Sequence, residues 1–145
     1  MSEETLKFEI TTPKKTVLTD EILQLTVPTK SGEITILPGH IPLISSLSPG
    51  VLEVKNKDGE IEIMAVSGGF VEVMPGRVII LSDIAEKAPD IDIEKAEEAK
   101  KRAEEEKRTK TQMDKERFAT INAQISKGFA RTQAVTKWKK IYQRQ

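Results

Sequence analysis

His40 is the chain's only histidine, and it stands in the segment GEITILPGH, flanked by Pro38-Gly39 and Ile41-Pro42. An imidazole with an unperturbed pKa of ~6.5 is suited to general-base work near neutrality. Such a base needs a nucleophile and an orienting group, and Gly39, Ile41 and Pro42 offer neither, so a contact role stands beside the catalytic one. Glu60 and Glu62 fall on one face of a strand, but alternation makes that the solvated face of a hairpin. Glu104, Glu105 and Glu106 are consecutive, so on a helix they point round the axis instead of converging on a metal. Thiolate and iron-sulfur chemistry lack their ligands, since there is no cysteine, and one histidine does not make the usual zinc cluster. Gly68-Gly69 lies between two strand-like runs, without the lysine and following helix of a phosphate loop, and reads as a bulge or tight backbone crossing. No active site assembles from these residues.

The elements that would hold them divide the 145 residues in two. All seven prolines and seven of the eight glycines precede residue 90, and the remainder is rich in Glu, Lys, Ala and Arg. Leu6, Phe8 and Ile10 alternate with polar neighbours, as do Leu23, Leu25 and Val27 before Pro28, the period of half-buried strands. In VLEVKNKDGEIEIMAV, Asp58-Gly59 separates Leu52 and Val54 from Ile61 and Ile63, which predicts a hairpin with both turn residues at positive φ. Pro75-Gly76 marks another turn. Short strands with turn signals every 8 to 12 residues predict an antiparallel β-sandwich over residues 1–88.

Beyond Pro89, Asp92 has the position of an N-cap, Ile91 and Ala96 that of a hydrophobic staple, and Ile93, Ala96, Ala99 and Ala103 form a narrow stripe. Thr111 and Asp114 have capping-box spacing, so a second helix is expected from about Gln112 to Ile141. Residues 89–145 thus read as an α-helical hairpin, and the whole as an α+β chain. In the second helix Phe118, Ile121, Ile125 and Phe129 share one face, whereas Ala130, Ala134, Trp138 and Ile141 lie nearly opposite. The stripe changes sides at Gly128, so the helix either kinks there or packs its halves on different surfaces.

The formal charge of zero hides an asymmetry: Met1–Ala85 has 7 basic and 12 acidic residues, and no acid follows Glu116. Arg117, Lys127, Arg131, Lys137, Lys139, Lys140 and Arg144 leave the last segment purely cationic. A basic helix with apolar residues between the cations fits an acidic protein groove, and the balanced total argues against nucleic acid. The polar start MSEETLKFEI and the lack of a long apolar run predict a cytosol-facing protein whose membrane link is through partners.

The ordered segments FEITTPKKTVLTDEI, SGEITILPGHIPLISSLSPGVLEV and SGGFVEVMPGRVIILSDIAEKAPDIDIEKAEEAKKRAEE resemble the epsilon subunit family of bacterial F-type ATP synthase. The resemblance spans roughly Leu6 to Glu106. It implies a non-catalytic rotor subunit at the foot of the central stalk, peripheral on the cytoplasmic side of the cell membrane, that couples proton flow to ATP synthesis. Its implied partners are the gamma subunit, the c-ring and the alpha and beta subunits of the catalytic head. By position, Glu33 would face the c-ring and His40 the gamma subunit. The hairpin would fold down on the sandwich or extend into the head, where Arg117, Lys127, Arg131, Lys137, Lys139 and Lys140 would meet acidic segments and inhibit ATP hydrolysis.

Some bacterial members hold ATP as a regulatory ligand where sandwich and hairpin join. The matching positions are Ile91, Asp92, Lys95 and Ala96, with Glu86, but Lys95 replaces an arginine, and a point-charge ammonium does not reproduce the guanidinium fork. No cofactor is otherwise required. Thr35 stands where members commonly have glycine, and the second helix has few of their usual Ala, Leu and Arg repeats. The rival readings are a free-standing protein-interaction adaptor with a helical tail and a small hydrolase using His40.

Overall fold

The computed structural model describes residues 4–110 and 112–143. Seven strands come first: β1 (Leu6–Thr11), β2 (Thr16–Thr29), β3 (Gly32–Ile36), β4 (Leu43–Asn56), β5 (Ile61–Met74), β6 (Arg77–Leu81) and β7 (Ala85–Lys87). A single 3-10 turn, Ala88–Asp90, then leads to helices α1 (Ile93–Thr109) and α2 (Lys115–Tyr142). The architecture is the expected α+β one, a strand domain followed by a helical hairpin.

The strands run in the order β1-β6-β5-β4-β2-β3, with β7 on β5, and β1 also pairs with β2, so the sheet closes on itself. One ladder departs from the antiparallel expectation: β1 and β6 are parallel, in register from Lys7↔Arg77 to Thr11↔Leu81. Leu6, Phe8 and Ile10 point inward as their alternation predicts, packed with Ile22, Leu25, Val27, Leu52 and Val54. In β2 the alternation is broken. A register shift between Ile22 and Gln24 buries Ile22 and leaves Leu23 half-buried, and the strand continues through Pro28, which pairs with Glu33.

In β5 the interior residues are Met64 and Val66 before the glycine pair and Val71 and Val73 after it, so the phase of the alternation changes across Gly68-Gly69. The long strands therefore serve both layers, turning over where φ reaches +99° at Gly68 and +114° at Gly69. A Cβ on Gly69 would stand 1.9 Å from the Leu81 carbonyl oxygen, which makes this the tight backbone crossing expected from the sequence.

The Asp58-Gly59 turn corrects one expectation. Only Gly59 has positive φ, at +82°. The Gly59 N–H donates to the Asn56 carbonyl, and the Asn56 side chain accepts from the N–H groups of Asp58 and Glu60, giving a longer connection than a two-residue turn. The resulting register pairs Leu52 with Met64 and Lys55 with Ile61. Ile61 and Ile63 therefore do not share a face with Leu52 and Val54; they face outward, where the hairpin lies.

Asp92 caps α1, its side chain accepting from the Lys95 N–H, an arrangement worth ~1 kcal/mol. Ala96 and Ala103 are buried as the stripe predicts, but Ala99 is exposed. The cap of α2 is Asp114, whose carboxylate accepts from the Arg117 N–H at 2.7 Å, so the helix begins at Lys115 and not near Gln112. Thr111, the other half of the expected capping box, lies outside the described residues, as does Arg144. Helix α2 is continuous through Gly128, and the change of stripe has the second of its two expected causes.

Candidate functional site

Helix α2 joins two packings. In its C-terminal half Ala130 and Ala134 are buried with Ile63, Ala65 and Ala88, and Trp138 packs on the same group with Val51 and Ile61. Small residues on both sides let helix and sheet approach closely. In the N-terminal half Ile121 is fully buried, while Phe118 and Phe129 remain about half exposed beneath the ammonium groups of Lys107 and Lys100 on α1. A Cβ on buried Gly128 would lie 2.8 Å from Lys100 Cβ, so glycine marks the closest approach of the two helices.

Polar contacts flank the sheet packing. Arg131 donates from Nε and Nη2 to the Glu86 carboxylate, with Nη2 2.7 Å from Oε1. Lys137 Nζ lies 2.7 Å from Glu53 Oε2, and the Tyr142 hydroxyl donates to the Ile61 carbonyl. Three of the expected inhibitory cations are thus held within the chain, since Arg117 also donates to Glu106 at the far end of the hairpin. The Arg117 hydrogen bond, and after it that of Lys110, holds the Glu106 carboxyl below the usual carboxylate range. Among the described residues, Lys127, Lys139 and Lys140 have no such ion pair, and the last two are exposed.

Glu86, Ile91, Asp92, Lys95 and Ala96 all line one open cleft of about 610 Å³ at the junction of strands and hairpin. Arg102 and Arg131 also line it. A second cavity lined by Arg102, Gln124, Lys127 and Arg131 lies against it through shared residues. Lys95, Arg102 and Arg131 share the cleft with the carboxylates of Glu86, Asp90, Asp92 and Glu98, so its lining is of mixed charge, and Lys127 borders the adjoining cavity. Arg102 went unnoticed in the sequence, although its seven-residue spacing from Lys95 places both on one face of a helix.

Glu33 and His40 do not come together. Glu33 is exposed and lines a groove of about 510 Å³ with Lys137 and Lys140 of α2, whereas His40 lies beyond the other end of β3. The His40 N–H donates to the Leu37 carbonyl, and its Nδ1 is 2.7 Å from the Ile41 carbonyl oxygen, which it contacts as a donor in the Nδ1-protonated tautomer. Nearby in sequence, Leu37, Ile41 and Ile44 are exposed, the last two by about three quarters. The cross-strand partners Phe70 and Leu81 are half-exposed and border a further cavity with Thr11, Thr12 and Pro13. Apolar exposure on this scale is a mark of protein contact. Alternation sets Phe70 with Glu72 and Leu81 with Arg77, on the face opposite Val71, Val73, Val78 and Ile80, but only the pairing register brings Phe70 and Leu81 side by side.

Residues 5–88 match the family described as ATP synthase, delta/epsilon chain, beta-sandwich domain. The chain is 45% identical over 106 residues to the ATP synthase epsilon chain of Koribacter versatilis (strain Ellin345), covering 73% of this chain and 74% of that one. It is 48% identical over 101 residues to the ATP synthase epsilon chain of Bacillus subtilis (strain 168), covering 70% and 76%. Its fold is similar to a chain in the cryo-EM structure of Euglena gracilis mitochondrial ATP synthase, OSCP/F1/c-ring in rotational state 1, with a TM-score of 0.73 at 25% identity over 88% of this chain and 79% of that one. A chain in the Tetrahymena thermophila mitochondrial ATP synthase central stalk and c-ring shares the fold with a TM-score of 0.64 at 14% identity, over 93% and 99%.

Proposed function

The chain belongs to the ATP synthase epsilon family, and on that footing we propose that it is a non-catalytic subunit of the central stalk that couples proton flow to ATP synthesis and restrains ATP hydrolysis through α2. The gamma subunit covers the surface around His40, with Ile44, Phe70 and Leu81 as its apolar centre. The c-ring meets the end of the sandwich that carries Glu33. The cations of α2 reach acidic segments of the alpha and beta subunits when the hairpin leaves the sandwich. Among the described residues no helix is long and apolar enough to cross a membrane, and attachment on the cytoplasmic side is through the complex.

The observation that carries the regulatory part is the way α2 is seated. Its sheet contact packs Ala130, Ala134 and Trp138 on Ile61, Ile63 and Ala65 and is flanked by partly exposed ion pairs, so a helix that leaves the sandwich needs another surface to cover both its apolar residues and its cations. Deleting the residues after Arg108 should raise ATP hydrolysis by the assembled enzyme while leaving its assembly intact. Unchanged hydrolysis overturns the inhibitory role.

A regulatory nucleotide is the second reading, favoured by the meeting of Glu86, Ile91, Asp92, Lys95 and Ala96 in one cleft with Arg102 and Arg131. ATP would place its phosphates among the cations and keep the hairpin down. Calorimetry with the full chain tests it: heat of binding at millimolar ATP, strengthened by Lys95→Arg, supports the site. No heat in either protein removes it.

A further inference from the structure

Each sandwich carboxylate that touches α2 occupies a cation otherwise free to bind an acidic partner. Glu86 holds Arg131 and Glu53 holds Lys137, from two different strands and six helical positions apart. Side-chain exposure at the four groups runs from 27% to 38%, so these pairs are open to solvent ions. Lys139 and Lys140, next to Lys137 on the helix, are exposed and make no ion pair among the described residues.

We propose that Glu53 and Glu86 are an electrostatic latch: they imitate, within the chain, the acidic protein surface that α2 binds elsewhere, and hold the hairpin down by competing for the same two cations. The proposal rests on the reading of α2 as a cationic helix with an acidic protein partner. An ammonium or guanidinium whose best geometry is given to one carboxylate is not available to a second, so docking on the sandwich and capture by an acidic surface exclude each other at Arg131 and Lys137. Lys139 and Lys140 are accessible while the latch is closed. They make the first contact with an acidic segment, and Lys137 and Arg131 follow as their sandwich partners are displaced. Screening weakens exposed pairs strongly, so the latch also makes the docked state sensitive to salt.

Trp138 is the only tryptophan and packs on the sheet beside the latch, so its emission reports docking in the full chain without a label. Wild type, Glu53→Gln, Glu86→Gln and the double variant should be compared between about 0.05 and 1 M salt, and with poly-glutamate as an acidic probe at low salt. The wild type should shift to the red with salt and with poly-glutamate. The double variant should be partly shifted at low salt, with unchanged helix content by circular dichroism, and should complete the shift at a severalfold lower poly-glutamate concentration. Combining Glu53→Lys with Lys137→Glu should restore low-salt docking lost in Glu53→Lys alone. Emission and probe response identical to wild type in the double variant, or no rescue by the exchange, overturns the latch. Neither readout involves hydrolysis, so failure here leaves inhibition by α2 to be judged by the Arg108 truncation.

Discussion

The Arg131 guanidinium spans the Glu86 carboxylate, Nη2 to Oε1 at 2.7 Å and Nε to Oε2 at 3.1 Å, and so ties α2 to β7 across 45 positions of sequence. Because both groups are partly exposed, the pair contributes ~1 kcal/mol or less to docking. Arg131→Lys keeps the charge and loses the fork. It should lower stability to urea by a few tenths of a kcal/mol up to ~1 kcal/mol, and a double-mutant cycle with Glu86→Gln should return most of that loss as coupling. Additive losses would show that the two side chains act independently.

Gly69→Ala should be among the most damaging single changes in the sandwich. Its Cβ would lie 1.9 Å from a backbone oxygen at a φ of +114°, and neither partner is a side chain able to swing away. A loss of ~3 kcal/mol or more is expected from strain and overpacking together. Gly59→Ala has nothing within 4 Å of its Cβ and only the left-handed φ to oppose it, so it should cost ~1 kcal/mol. Equal melting temperatures for the two variants would contradict the close approach of β5 to Leu81.

At Gly128 two effects oppose each other. Alanine would gain ~1 kcal/mol of helix propensity, but its Cβ would meet Lys100 Cβ at 2.8 Å, an atom fixed by the α1 backbone. The contact should win, separating α1 from α2 and weakening the cation–π contact of Lys100 with Phe129. Relaxation of the Lys100 and Phe129 resonances toward free-helix values in the Gly128→Ala spectrum would register the separation; unchanged resonances with raised stability would reverse the sign.

Glu106 gives a pH dependence with a fixed sign. Its pKa is lowered, chiefly by the hydrogen bond from Arg117 and then by that from Lys110. A depressed value means that the carboxylate's contribution is complete above the unfolded pKa of ~4.3 and is lost as the pH falls through the lower folded one. Acidification should therefore loosen the end of the hairpin where Arg117 meets Glu106. Arg117→Gln should move the Glu106 carboxyl titration, followed by carbon chemical shift, back toward its ordinary range, and an unmoved midpoint would remove Arg117 as the cause.

Much of this was legible from local pattern. Leu6, Phe8 and Ile10 announced β1, Asp92 announced the start of α1, and the crowding at Gly68-Gly69 followed from paired glycines between strands. What escaped depends on pairing at a distance. Ile61 and Ile63 look like partners of Leu52 and Val54 until the turn at Asn56–Glu60 sets the register, because alternation reveals that a strand has two faces but not which neighbour each will meet. The cleft was legible in five of its residues through resemblance to a family, while Arg102 could have come from helical spacing alone. The partners of Arg131 and Lys137 could not be read at all, since an ion pair between residues far apart leaves no local trace.

The antiparallel ladder of β4 and β5 runs from Leu43↔Val73 to Lys55↔Ile61, through both layers of the sandwich and past the point where β5 turns over. A load that slides one of these strands along the other is opposed by many hydrogen bonds at once, whereas peeling from an end would break them in succession. Because the same two strands line the interior on one side and carry α2 on the other, such a load passes between layers along the covalent chain. The sandwich is accordingly a stiff mount, and the compliance of the molecule is concentrated in the hairpin seated upon it.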